Sequence, residues 1–307
     1  MIIYIFKKVF FIAVTLIGIS FIAFMLLKHI PGDPAYSLVG ERADPEIIKK
    51  YQEEFGIGTY SGYLKMIFTG NLGYSYYTKE PVWNTFLKKF PNTFRLALAA
   101  IFFAIVTGVF FGIIAAIKRN SFMDRLILFG TTFGISLPVF WWGLILIILF
   151  SYTFRIFPAS GMGRGEWVYI ILPAITLGSR SSAYLARVTR ASMLEVLNQP
   201  YITSARSRGV GKFKLIVKHA LRNALIPVVT IAALDFASYL NGAVLTETIF
   251  NWDGVGRWAV VAIFKRDYPV ILAVVLLGAG IFVFVNLIVD ILYQFINPKM
   301  RSDVNLK

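Results

Sequence analysis

Gly209-Val210-Gly211-Lys212-Phe213 sets two glycines beside a lysine, the residue types that wrap and neutralise a phosphate. That chemistry needs a fixed order as well as a composition. A nucleotide-binding loop reads G-x-x-x-x-G-K-[ST], with a glycine directly before the lysine and a hydroxyl after it to reach magnesium. Here a single valine separates the glycines and Phe213 follows the lysine, so the spacing and the hydroxyl both fail. Nucleotide chemistry belongs to another polypeptide. No Ser-His-Asp or paired-carboxylate arrangement can be recovered either. The chain has no cysteine, and its two histidines, His29 and His219, stand far apart, which excludes thiolate and histidine-rich metal sites. The sequence therefore predicts no catalytic residues, no metal site and no cofactor in this chain. What remains are isolated polar residues in apolar surroundings: Asp235, with Ser238 and Asn241 after it, and Asn286 with Asp290.

The elements that position them are membrane helices. Of the 307 residues, 57% are hydrophobic and 15% charged, against about 25% charged in soluble domains. Apolar runs occur at 9–27, 96–117, 126–154, 167–187, 224–246 and 270–295. Each is long enough to cross a hydrocarbon core of about 30 Å as a helix, and lipid leaves no partners for an open backbone. The sequence thus predicts an all-α integral membrane protein with six transmembrane helices. The first run is too long for a signal peptide and no small-x-small site closes it, so it reads as an uncleaved span. Pro138 lies inside the long third run, where a tilt or kink is expected. Arg180 interrupts the fourth near its end and can snorkel to the interface.

Net charge is +15, which could suggest a nucleic-acid partner until the charges are placed. Lys118, Arg119 and Arg125 sit between the second and third runs. Arg187, Arg190, Arg206, Arg208, Lys212, Lys214, Lys218 and Arg222 cluster between the fourth and fifth, against Glu195 alone. The loop 31–93 balances its acids and bases. Short loops rich in lysine and arginine stay in the cytoplasm, so both termini and the loop 188–223 are expected there, with 31–93 outside. The basic excess is then a topology signal, with no nucleic-acid partner. Orientation alone needs only a few lysines, yet 188–223 also interleaves Ala191, Ser192, Ser204, Ala205, Ser207, Gly209 and Gly211. Short helices joined at a glycine make a compact elbow, and small side chains let another backbone come close. A protein cleft suits such an elbow better than a fluid lipid surface, although a basic loop resting on anionic lipid is the plainer alternative.

Thr203-Ser204-Ala205-x-x-x-Gly209 resembles the EAA loop of permease subunits in bacterial ABC importers, with Thr-Ser-Ala in place of Glu-Ala-Ala. His219-Ala220-Leu221-Arg222 departs from the usual Ile-x-Leu-Pro ending, and "HALRNALIPVV" is similar to the dipeptide/oligopeptide/nickel branch. The likeness extends through "HIPGDPA", "NLGYSYYTKEPV", "FPNTFRLALAA", "LPVFWWGLILI", "FPASGMG", "ILPAITLG", "ETIFNWDGVGRWAVVAIFKRDYPV" and "VNLIVDILYQFINPKMR", in that order. The chain is accordingly identified as resembling the B-type permease of that branch, with a type I importer fold.

The resemblance implies partners: a second, C-type permease, two ABC ATPases that bind the ATP and Mg, and an extracytoplasmic solute-binding protein. It places the chain in a bacterial or archaeal inner membrane, in contact with lipid. Ser204, Ala205 and Gly209 would form the tight coupling contact and turn, with Arg206 and Arg208 facing the ATPase. Asn251, Trp252 and Asp253 would touch the binding protein, or form a plain exposed turn. Asp235, Ser238, Asn241, Trp141 and Trp142 are candidates for a translocation path. For Asp235 an interhelical hydrogen bond or a pairing with a neighbouring subunit is the alternative, and for the tryptophans simple packing. Asp290 is expected near a basic residue in a structural role. The substrate would be a di- or oligopeptide, or else nickel or another small solute; a stand-alone ion-coupled carrier or channel using Asp235 is the rival reading.

Overall fold

A computed structural model of the chain describes residues 2–29, 59–241 and 243–296. Among these, the regular elements are all helices, joined by turns and loops, with one isolated β-bridge between Tyr74 and Pro81. The helices are α1 (Ile2–His29), α2 (Tyr60–Phe68), α3 (Val82–Ile117), α4 (Phe122–Ser136), α5 (Val139–Leu146), α6 (Val168–Leu197), α7 (Pro200–Ser207), α8 (Arg222–Leu240), α9 (Val244–Ile249), α10 (Val255–Lys265) and α11 (Tyr268–Ile296). Wide π-helical turns extend α5 through Ile147–Thr153 and lead into α8 through Leu215–Leu221.

Three of these stretches are long and apolar enough to cross a membrane, Val82–Ile117, Lys212–Leu240 and Tyr268–Val289, and a bent pair makes a fourth. That pair covers the run 126–154, and the bend expected at Pro138 is a sharp one. Its two halves, Phe122–Ser136 and Val139–Thr153, meet at 108°. Leu137, directly before Pro138, is extended (ψ 134), as the proline ring requires of its predecessor, and the helix restarts only at Val139. α1, Ile2–His29, contains the first apolar run, 9–27. The run 167–187 forms the front of α6, which continues past it through Arg190 to Leu197. The run 96–117 is the rear of α3, which starts at Val82 inside the loop assigned to 31–93. Residues 31–58 of that loop, the chain beyond 296 and the side chain of Asp290 lie outside the described residues.

The chain divides into two compact units. The first takes residues up to Thr93, Leu240–Val244 and Asp253–Leu287; the second takes Phe94–Tyr239, Leu245–Trp252 and Ile288 onward. In the first, Leu72, Val82, Phe86, Trp258, Ala262 and Val270 form the core. Phe86 stacks on Phe90 with ring centroids 5.4 Å apart. Buried Asp267 holds the segment 74–81: its carboxylate accepts from the Ser75 hydroxyl and from the Tyr76 N–H at 2.9 Å. A smaller cluster joins α1 to α2 through Phe24 and Tyr63, with Ser20 and the Tyr60 hydroxyl hydrogen-bonded at 2.8 Å.

In the second unit α3 and α6 meet backbone to backbone. A Cβ on Gly178 would lie 2.4 Å from the Ala100 carbonyl oxygen. One on Gly112 would lie 2.5 Å from the Thr189 Cβ, and one on Gly108 would lie 2.8 Å from the Ser182 carbonyl oxygen. Small residues four apart allow this approach, which drives helix pairing where the surrounding lipid is as apolar as the side chains. Thr107 and Ser182 add a hydrogen bond across the seam at 2.7 Å.

A charged clamp ties α4 to α6. Arg190 donates to both carboxylate oxygens of Asp124, at 2.7 and 2.8 Å, and Asp124 also accepts from the Asn120 N–H. Arg187 donates to Thr131 at 3.0 Å. Both arginines are therefore internal ties rather than free charges of the basic loop. Asp124→Asn keeps the shape but weakens two charge-assisted bonds at a position 2% exposed. We expect a loss of about 1.5–3 kcal/mol, read as a lower unfolding temperature of the detergent-solubilised protein. A melting curve unchanged from wild type would show the clamp to be idle.

Candidate functional site

The loop between α6 and α8 builds the elbow. Pro200 starts α7 at its first turn, where a missing N–H costs nothing. At the other end the chain reverses through Gly209, whose φ of +80° lies in the left-handed region. The Val210 N–H reaches the Ala205 carbonyl at 3.2 Å and the Gly209 N–H reaches the Arg206 carbonyl at 3.0 Å. This is the bond pair of a Schellman helix end, which needs a left-handed residue at its turn. Val210 then packs onto the cluster containing Ala205, completing the motif with its apolar contact.

The two faces of the elbow differ sharply. Ile202 and Ala205, three apart on α7, turn inward onto Ala116, Met193, Leu215, Ala220 and Ala224. The Tyr201 hydroxyl accepts from Asn223 Nδ2 at 2.7 Å, which pins the start of α7 to the start of α8. Thr203, Ser204, Arg206, Ser207, Arg208 and Gly209 face outward and are exposed. Of the five residues assigned to the coupling contact, Ser204, Arg206, Arg208 and Gly209 thus present an open surface. Ala205 does not: at 5% exposure it belongs to the elbow's own core, because the i, i+3 spacing puts it on the same side as Ile202.

The in-span residues scatter. Asp235 on α8 is half-buried, with the Ser181 hydroxyl as its hydrogen-bond partner and the Arg180 charge acting on it. Ser181 in turn is hydrogen-bonded to the Tyr239 hydroxyl, which donates to the Leu177 carbonyl at 3.2 Å. The partners of Asp235 lie on α6, and no local sequence signal marks them. Ser238 and Asn241 are exposed, and the Asn241 side-chain oxygen lies against Gly278. Trp141 is exposed, while neighbouring Trp142 packs with Leu146, Leu172 and Phe250. It also borders a cavity of about 150 Å³ with Gly130, Gly134, Ser179 and Arg180.

Asn251, Trp252 and Asp253 do not form one open surface. Asn251 is exposed at a left-handed φ of +51°. Trp252 is only 4% exposed, with its N–H bonded to the carbonyl of fully buried Glu247 at 2.8 Å. It is therefore a packing residue and offers no open surface for the partner contact expected of it. Asp253 is exposed but engaged: Lys89 pairs with it at 2.5 Å and Asn92 donates to its carbonyl at 2.8 Å.

Among the described residues, helices long and apolar enough to cross a membrane, joined by a polar elbow, define an integral membrane component. Comparisons with known proteins agree. Residues 108–302 match the family model of the binding-protein-dependent transport system inner membrane component, and residues 1–97 match its N-terminal model. The chain belongs to this family of inner-membrane permeases. It is 41% identical to the di/tripeptide transport system permease protein DppB of Pseudomonas aeruginosa, over 94% of this chain and 95% of that one. It is 38% identical to the dipeptide transport system permease protein DppB of Escherichia coli, over 94% and 95%. The glutathione transport system permease protein GsiC of Escherichia coli is 38% identical over 97% and 98%. Among solved structures, the MetNI methionine ABC transporter in inward-facing conformations superposes with a TM-score of 0.57 at 15% identity, covering 69% of this chain and 96% of that one. An amino acid ABC transporter gives 0.54 at 14% identity, over 69% and 94%. At such identities the likeness is one of fold, and the fold is that of type I ABC importer permeases.

Proposed function

We propose that this chain is the B-type permease of an ATP-driven importer of di- or oligopeptides. The elbow carries the ATP-driven part of the reading: a short helix, held from behind by Ile202, Ala205 and Tyr201, offers Ser204, Arg206 and Arg208 outward and ends at a turn that glycine favours. The peptide part rests on relatives named as dipeptide, di/tripeptide and glutathione permeases. In this reading the chain has six spans, both termini and the elbow are cytoplasmic, and a C-type permease completes the path. Two ATPases hold the ATP and Mg, and a solute-binding protein delivers cargo from outside. ATP binding draws the ATPases together, the elbows move with them, and the helices switch from inward to outward access. The chain itself catalyses nothing and holds no cofactor.

The test is gentle purification of the tagged chain from its native membrane, followed by uptake of a labelled dipeptide in proteoliposomes. A second permease and two P-loop ATPases are expected in the eluate, with uptake that requires ATP. Arg206→Glu with Arg208→Glu is expected to lose the ATPases and keep the second permease. A single chain with no companions, active on its own, would make it a stand-alone carrier.

Within this reading Asp235 and the exposed Ser238 and Trp141 belong to the path, Asn241 lies beyond the end of α8, and Trp142 is structural. Asp235→Asn is expected to lower dipeptide uptake severalfold while the complex still assembles. Uptake equal to wild type would confine Asp235 to its hydrogen bond with Ser181.

A further inference from the structure

The limb that returns from the elbow has a face that neither the elbow nor the path accounts for. Lys212–Leu240 is one helical stretch of 29 residues, about 43 Å at 1.5 Å per residue. A hydrocarbon core takes about 30 Å, and a bilayer with its head groups about 40–45 Å. About a third of the stretch therefore lies outside the hydrocarbon. The surplus falls at the Lys212 end, since no basic residue follows Arg222 within the stretch. That end sits at head-group depth.

Its two sides are unlike. Leu215 and Ala220 are buried in the elbow's core, with Ile216 and Leu221 packed beside them. Outward stand Lys212, Phe213, Lys214, Val217 and Lys218, with Phe213 80% and Val217 45% exposed. Residues 213 and 217, and 214 and 218, are each four apart, so two apolar side chains and two ammonium groups occupy adjacent strips of one face. No acidic residue occurs between Glu195 and Asp235, so no acid close along the chain neutralises these lysines. The elbow's outward surface is different: α7 shows hydroxyls and guanidinium groups there, with Tyr201 its one exposed large apolar side chain.

We propose that Lys212–Lys218 is a binding surface for anionic phospholipid. Phe213 and Val217 enter the boundary between head groups and acyl chains, while Lys212, Lys214 and Lys218 reach the phosphates. An open phenylalanine flanked by ammonium groups is what an interfacial anchor presents, and the charge is complementary to an anionic leaflet. The anchor would hold one limb of the elbow at fixed depth while the other bears the load, and it does not depend on the ATPase reading.

Native mass spectrometry of the full-length chain in non-ionic detergent, titrated with phosphatidylglycerol or phosphatidylcholine, tests it. The wild type is expected to retain phosphatidylglycerol preferentially. Each lysine contributes about fivefold, so Lys212→Gln, Lys214→Gln and Lys218→Gln together should cut that preference at least tenfold. Arg206→Gln with Arg208→Gln should leave it intact. Independently, tryptophan fluorescence of Phe213→Trp, read as the difference from the wild type, should be quenched by brominated acyl chains in phosphatidylglycerol vesicles. Undiminished retention by the triple variant overturns the proposal. So does a residue-213 signal untouched by bromine and shielded from aqueous iodide only when ATPases are bound, which would make this face a protein interface.

Discussion

Replacing Gly178 by leucine is expected to leave almost no folded protein in the membrane. The first added carbon would lie 2.4 Å from the Ala100 carbonyl oxygen and 3.1 Å from a Phe103 ring carbon. A backbone oxygen inside a helix cannot swing away as a side-chain end can, so α3 or α6 must move as a whole. Neither is free to do so. Gly112 against Thr189 and Gly108 against Leu185 fix the same two helices further along, both at separations below 3 Å for an added Cβ. Relief at Gly178 would open both contacts. Overpacking a tight core costs about 1–3 kcal/mol where side chains can adjust; against rigid backbone the cost is expected at or above that range. The same substitution at Gly18 on α1, where nothing lies within 4 Å of an added Cβ, is the control. Membrane-integrated protein and its unfolding temperature in detergent are the measurements. The order expected is Gly18→Leu equal to wild type, Gly178→Ala reduced and Gly178→Leu near zero. A Gly178→Leu protein that accumulates and melts like the wild type would mean that the two helices do not approach this closely.

That seam also shows which parts of the fold are readable from sequence. Apolar runs are visible because a membrane demands them wherever a helix crosses. How far each helix continues is not, since length beyond the lipid depends on what it packs against. α6 carries its arginines past 187 because Arg190 finds Asp124 and Arg187 finds Thr131, both on α4. In the sequence these two residues count only as basic charges of the expected cytoplasmic loop. Asp124, the acid standing among Lys118, Arg119 and Arg125, was the available signal for an internal partner. Pro138 announces a break in the third run, but a proline alone does not give its size of 108°. Gly108 and Gly112 of α3 stand four apart, and only their juxtaposition with Gly178 and Thr189 of α6 shows a seam.

At the site, composition located the elbow and periodicity would have sorted its faces. Ile202 and Ala205 are three apart and point inward together, so a resemblance carried over by position put Ala205 on the wrong side. Trp252 misled differently. Turn residues around it suggested an exposed ring, whereas the left-handed Asn251 folds the chain back and buries it. The partners of Asp235, Ser181 and Arg180, come from α6, and no local pattern could have named them.

Substitutions at Gly209 are expected to rank ATP-driven uptake by backbone conformation, not by size. No atom lies within 4 Å of a Cβ added there, so bulk alone meets nothing within the chain. The constraint is φ +80°, which side chains other than glycine rarely adopt. Asparagine tolerates the left-handed region. Alanine pays about 1–2 kcal/mol for it, and a β-branched residue is disfavoured further still. Leaving the region would break the bond from Val210 to the Ala205 carbonyl and swing Arg208 off the end of α7. The apolar face of Ile202 and Ala205 would still hold the helix in place. Membrane insertion and pairing with a second permease are therefore expected to survive. Dipeptide uptake in proteoliposomes should fall slightly for Gly209→Asn, severalfold for Gly209→Ala and more than about tenfold for Gly209→Val, each 1.4 kcal/mol of strain being worth a factor of ten in the population of the correct turn. A ranking by side-chain volume, with asparagine no better than valine, would point instead to a partner pressed against this glycine. Gly209→Val with full uptake would remove the turn from the coupling mechanism altogether.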